Sequence, residues 1–238
     1  MHVLVIASRK GGAGKTTLAG HLAVEAERTG AGPVAVIDID PQGSLADWWN
    51  ARAAPTPLFV QTTLADIETD VERLRLHGIQ FLIIDTPPAL TAEIGNVVRL
   101  ADLVLIPTRP SPHDLRSIGA TVELVEHLGK PLVFVLNGAT PRARITAEAI
   151  AVLSQHGQLA PSIVHQRVDF AASMVDGRTV MEIPGDSRSA DEIGRLWAYI
   201  DERLTGRRAA PAHNGLAIVP ARPRQEMLPL GMDRQEVA

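Results

Sequence analysis

The chain of 238 residues contains no cysteine. Disulfides, thiolate metal sites and a cysteine nucleophile are thereby excluded, and the composition suits a reducing compartment. Lysine is scarce: only Lys10, Lys15 and Lys130 occur, against a large majority of arginine among the strong bases. Long apolar runs are missing too. The first, Val3 to Ala7, is far too short for a signal-peptide core or a bilayer span, and no later run reaches spanning length. A cytoplasmic protein is expected. Excess positive charge is also absent: the formal net charge is -4, which argues against a strongly basic nucleic-acid binder and leaves room only for a local patch. With 45% hydrophobic and 21% charged residues, the chain can build a substantial core and is not globally disordered.

Five short, continuous apolar runs stand out: Val3 to Ala7, Val34 to Ile37, Phe81 to Ile84, Leu103 to Ile106 and Leu132 to Leu136. Continuous rather than alternating runs suit strands buried on both faces, as in a parallel sheet. Between them apolar residues recur at helical steps: Leu18, Leu22 and Ala26; Leu64, Ile67, Val71 and Leu74; Leu115, Ile118, Val122 and Val125. Strand alternating with helix predicts an α/β fold, a doubly wound, mostly parallel sheet flanked by helices. Further helices are expected near 146–155, 170–175 and 190–204, with a short strand near 162–164. From Gly206 four prolines punctuate a stretch without periodicity, so residues 1–205 are expected to form one domain and 206–238 a flexible tail.

The first strand runs into Ser8-Arg9-Lys10-Gly11-Gly12-Ala13-Gly14-Lys15-Thr16-Thr17. Strand, glycine-rich turn and helix start make a phosphate cradle. Glycines let successive backbone N–H groups converge on one anion, and the helix adds its positive N-terminal end. Lys15 supplies a charge for the β and γ phosphates, and the Thr16 hydroxyl is a Mg²⁺ ligand. Two of the three lysines fall within this one motif. Two carboxylate segments follow at the ends of later strands. Asp38-Ile39-Asp40-Pro41-Gln42-Gly43 closes the second run, and Asp85-Thr86-Pro87-Pro88 closes the third. In an open α/β sheet these strand ends face the ligand crevice, where a carboxylate can hold Mg²⁺ through water. No competing constellation is present: the histidines lack H-E-x-x-H spacing and there is no G-x-S-x-G elbow.

The common G-x-x-x-x-G-K-[ST] loop would need glycine at Arg9; the chain instead has a second lysine, Lys10, five residues before Lys15. This form resembles the deviant Walker A motif of the ParA/MinD family of ATPases. The resemblance implies that Lys10 reaches across a dimer interface to the partner's ATP. It also implies that Asp40, in the D-x-D-P-Q-G switch, positions the attacking water or a Mg²⁺-bound water. Lys10, Lys15 and Asp40 are therefore the expected catalytic set, Gly11 to Thr17 the nucleotide cradle, and Thr16, Asp40 and Asp85 the metal set. Asp38 would support the loop and the metal shell, although a turn or capping role suits it equally. Asn137-Gly138-Ala139-Thr140 lacks the guanine signature of GTPases, which favours ATP; Asn137 stands where ParA-like proteins touch the base, and a capping role is equally open.

Leu105 to Leu115, and His165-Gln166-Arg167 with Asp176-Gly177, resemble later stretches of the short partition ATPases, extending the likeness over about residues 1–205. Because the sequence opens on the phosphate-loop strand, the short type, without a leading helix-turn-helix, is expected. Its proline-bearing end lacks the basic amphipathic helix by which MinD-like proteins lie on membranes, so no membrane partner is expected. The resemblance implies a homodimer with ATP, non-specific binding to nucleoid DNA, and a ParB-like adaptor that stimulates hydrolysis. Candidate DNA contacts are Arg142, Arg144, Arg167, Arg178 and Arg188, though residues 142–208 hold equal numbers of basic and acidic side chains. Two rivals remain: a positioning ATPase for another cargo that never touches DNA, and a small-molecule synthetase on the same fold. Lys10 and the Asp40 loop disfavour the second.

Overall fold

Each continuous apolar run becomes a strand covered on both faces. The computed structural model describes residues 1–89, 91–185 and 187–206; the expected tail lies outside the described residues except for Gly206. In chain order the elements are β1 (His2–Ile6), α1 (Lys15–Arg28), β2 (Val34–Asp38), α2 (Ser44–Asn50), β3 (Leu58–Phe59), α3 (Ile67–Leu76), β4 (Phe81–Asp85) and α4 (Ala92–Leu100). There follow β5 (Leu103–Thr108), α5 (Pro112–His127), β6 (Leu132–Ala139), α6 (Arg144–His156), β7 (Gln158–Leu159), β8 (Val164–His165), α7 (Val168–Met174) and α8 (Arg188–Thr205). The sheet order is β3-β2-β4-β1-β5-β6-β7, with β8 pairing the far end of β6, and every pairing is parallel.

The period-two pleat sorts each strand's side chains into two cores. Leu4, Ile6, Val34, Val36, Phe81 and Ile83 face α1 and α8. Val3, Val5, Ala35, Ile37, Leu82 and Ile84 face α3, α4 and α5. The sequence therefore reads as unbroken apolar runs because neither face meets water. On the first face Trp197 of α8 packs edge-on to Phe81 at 5.1 Å and donates from Nε1 to Thr29 Oγ1 at 2.9 Å. On the second, α5 starts as its sequence dictates: Ser111 accepts from Asp114 N at 3.1 Å, and Pro112 stands in the first turn.

β1 lies between β4 and β5, so the chain leaves it towards β2 on one side and later fills β5 and β6 on the other. This reversal opens a crevice beyond the C-terminal ends of β1, β2 and β4. Register pins it: Ile6 pairs with Asp85, and Asp38 pairs with Asp85 from the other side. The sequence runs understated some elements. The fifth run continues through Asn137 to Ala139, and α2, α4, β3 and β7 carry no strong signal of their own. Leu64 falls ahead of α3 and is 41% exposed.

Candidate functional site

The loop after β1 is anchored at its base. Ala7 N donates to Leu105 O at 3.1 Å, and Thr86 Oγ1 donates to Ile6 O at 2.9 Å. Gly12 (φ 73°) and Gly14 (φ 95°) occupy the left-handed region, which folds the loop back over the start of α1. Gly14 caps α1 without a side-chain acceptor, so the first amides of the helix are left for a ligand. Asn137 Nδ2 donates to Ala13 O at 2.7 Å. A Cβ on Gly14 would come within 2.1 Å of that nitrogen. Asn137 is thus a brace for the loop, reached from β6.

Lys15 is buried, 7% exposed. Burial pulls its ammonium below the ordinary lysine range, while Asp85 and Asp40 pull it back up. Asp85, 1% exposed at the tip of β4, accepts from Thr16 Oγ1 at 2.5 Å, and its Oδ1 has no partner. Burial pushes the Asp85 carboxyl up to about 7; Thr16 and Lys15 oppose the rise, and Asp38 and Asp40 reinforce it. Asp38 accepts from Asp40 N at 3.0 Å, Leu45 N at 2.9 Å and Ala46 N at 3.1 Å. It therefore organises the turn and caps α2. Asp40 accepts from Gln42 N at 3.1 Å and lines the crevice.

The crevice is a cavity of about 620 Å³. One wall is Gly11, Gly12, Gly14, Lys15, Thr16 and Thr17. Asp40, Gln42 and Pro88 also line the cavity, together with Asp47 and Trp48 of α2, Ala51 just after it, and Met174 and Val175 at the α7 end. Lys10 is exposed and outside the cavity wall. The arrangement combines free amides, one buried ammonium, a hydroxyl and two carboxylates, a donor set suited to a polyphosphate and a hard cation.

A model of the CobQ/CobB/MinD/ParA nucleotide binding domain matches residues 4–180. The chain belongs to this family of P-loop ATPases. It is 31% identical over 205 residues to the "Maintenance of carboxysome distribution protein A" of Halothiobacillus neapolitanus, covering 81% of this chain and 93% of that protein. It is 40% identical over 211 residues to the protein of that name from Gloeobacter kilaueensis, covering 82% and 95%. Among solved structures, the septum site-determining protein MinD of Pyrococcus horikoshii with Mg-ADP shares the fold at a TM-score of 0.70. That match has 15% identity and covers 84% of this chain and 96% of that one.

In this ParA/MinD-type frame the phosphate loop, Asp40, Asp85 and Asn137 come together, whereas the five arginines stand apart from the cavity. Arg142 (φ 60°), Arg144 and Arg188 are exposed, Arg144 beside Glu148 at 2.8 Å. Arg167 is held by the buried Glu192 at 2.6 Å, and Arg178 by Asp176 at 2.7 Å. Trp48, Asp47 and the α7 end escaped the sequence reading, because only the fold brings 47 to 174.

Proposed function

We propose that this chain is an ATP-hydrolysing switch that dimerises around bound nucleotide and positions a large cellular cargo. The observation that carries it is the convergence of Lys15, Asp40 and Thr16, itself bonded to Asp85 behind it, on one cavity beside free helix-start amides. In this reading Gly11 to Thr17 cradle the phosphates, and Lys15 neutralises the β and γ oxygens. The unpartnered Asp85 Oδ1 next to Thr16 Oγ1 fits Mg²⁺, which usually keeps several waters and takes one or two protein ligands. When bound, the cation would offset charge developing on the transferred phosphoryl group. Asp40 orients the attacking water or a metal-bound water, and exposed Lys10 is available to a second copy's nucleotide.

Two relatives of 31% and 40% identity that match over four fifths of the chain are named for carboxysome distribution, which favours a protein assembly as cargo. DNA partition, with a ParB-like adaptor and non-specific DNA held in the ATP state, is the second reading. Its support is the exposure of Arg142 and Arg188. Arg144, Arg167 and Arg178 are each paired with a carboxylate and contribute less.

Lys15→Ala is expected to lower ATP turnover by at least about a hundredfold. Unchanged turnover would sink the phosphate assignment. A gel shift of the wild type with ATP, ADP or no nucleotide separates the two cargo readings. Retention of DNA only with ATP, weakened by Arg188→Glu at unchanged basal turnover, supports a DNA-bound switch. No retention at low salt removes DNA from the cycle.

A further inference from the structure

Asp40 is held at two ends, and only one of them belongs to the phosphate-binding core. Upstream lies β2, locked to β4. Downstream lies α2, joined rigidly to Asp40 because one carboxylate, Asp38, accepts from Asp40 N, Leu45 N and Ala46 N. Asp38, the last residue of β2, thus couples the Asp40 backbone to the start of α2.

The position of α2 is set by a cluster centred on Arg52. Its side chain is 4% exposed. Nη2 donates to Glu182 Oε1 at 2.7 Å, and Nη1 donates to Glu182 Oε2 at 2.9 Å and to Gly177 O at 2.7 Å. Nε donates to Thr56 O at 2.6 Å, and the guanidinium lies 5.4 Å from the Trp48 ring centre. Trp48 Nε1 donates to Arg178 O at 3.0 Å, and its ring lies against Gly20 of α1, where a Cβ would stand 3.3 Å away. Gly177 presses on the same point: a Cβ there would fall 2.3 Å from Arg52 Cα. Glu182 also accepts from Thr179 N and Oγ1, each at 2.9 Å. A bidentate pair whose guanidinium is 4% exposed and makes four hydrogen bonds is a rigid joint, and lysine cannot reproduce its planar fork.

We propose that Arg52 is a positioning residue for ATP hydrolysis, fixing the Asp40 loop against the phosphate loop by tying α2 to the 177–182 segment. The proposal rests on the nucleotide reading above. The grip on the phosphates is built elsewhere, from α1, Asp85 on β4 and Asn137 on β6. The Arg52 joint touches none of these phosphate-gripping groups directly, so disturbing it is expected to change the hydrolysis rate more than the nucleotide affinity. A misplacement of about 1 Å in such a group costs up to about a hundredfold in rate.

The test compares wild type with Arg52→Lys, Glu182→Gln and Gly177→Ala, the last disturbing the joint without removing a charge. Thermal unfolding establishes which variants fold, titration with a fluorescent ATP analogue gives Kd, and single-turnover hydrolysis with Mg²⁺ gives the rate. Folded variants are expected to keep Kd within about twofold and to lose about ten- to a hundredfold in rate. Wild-type rates in a folded Arg52→Lys or Glu182→Gln protein would overturn the role. So would a loss of affinity matching the loss of rate, or the failure of all three variants to fold, which would make the joint a stability element only. A wild type that binds the analogue but hydrolyses no ATP, or binds neither, would instead overturn the proposed function.

Discussion

Two buried titratable residues work against each other as pH changes. Asp85 has its carboxyl raised from 3.8 to about 7, mainly by burial. The folded state therefore binds a proton that the unfolded state releases between those values, and stability falls as pH rises through the window. The full cost, about 4 kcal/mol from the size of the shift, applies above pH 7. His21, fully buried with Nδ1 bonded to Thr17 O at 2.7 Å and Nε2 unpartnered, is lowered from 6.5 to about 4 by burial. There the unfolded state binds the proton first, so about 3 kcal/mol present above pH 6.5 is lost as pH falls to about 4. The two slopes oppose each other over most of that range. Melting curves of the nucleotide-free protein should thus vary little from pH 5 to 7 on account of this pair. Asp85→Asn should melt higher than wild type at pH 8 and lose that advantage near pH 5, because a neutral side chain replaces a buried charge. His21→Leu should remove the acid-side loss and leave a protein that stabilises on acidification. Parallel curves for wild type and Asp85→Asn across pH 5–8 would refute the Asp85 part. A carboxylate that destabilises the empty protein is consistent with a group retained for its ligand rather than for the fold.

At the scale of elements, α2 shows how a weak local signal can be tightly specified. It has seven residues, a left-handed glycine as N-cap and no capping side chain of its own. Its first amides are satisfied by Asp38, six residues before the helix starts. Asp38→Ala is expected to cost about 1–2 kcal/mol and to speed hydrogen exchange at the Leu45 and Ala46 amides more than at the β4 amides. Uniform exchange would show that α2 is held by Trp48 and Arg52 alone. The same element marks where sequence reasoning stopped. The five main strands were legible because burial on both faces writes continuous apolar runs, and the glycine loop and the two terminal carboxylates were legible because strand ends carry chemistry at fixed offsets. β3 and β7, two residues each, exist only because β2 and β6 offer them an edge, and no local pattern encodes that. Likewise Arg52 and Glu182 stand 130 positions apart. Each reads as an ordinary surface charge until the fold joins them.

At the scale of the whole molecule, the sheet is a beam with chemistry at one edge and its closing helix spanning one face. Near its start α8 places Ser189 against Asp169 of α7, and further on it lays Trp197 against Phe81, at the N-terminal end of the central strand β4. Trp197→Ala would open that face and should cost about 3–5 kcal/mol in a urea melt. The helix then ends as helices that stop commonly do, with Gly206 in the left-handed region (φ 70°) and its N–H bonded to Glu202 O at 2.9 Å. Among the described residues, both cores, the cavity and the Arg52 joint are built from positions within 1–206. A protein ended after Gly206 should therefore melt within a few degrees of the full chain and bind the ATP analogue with the same Kd. A truncated protein that no longer folds, or that loses nucleotide affinity, would mean that residues after 206 cover part of the core or the cavity, and would move the domain boundary beyond the end of α8.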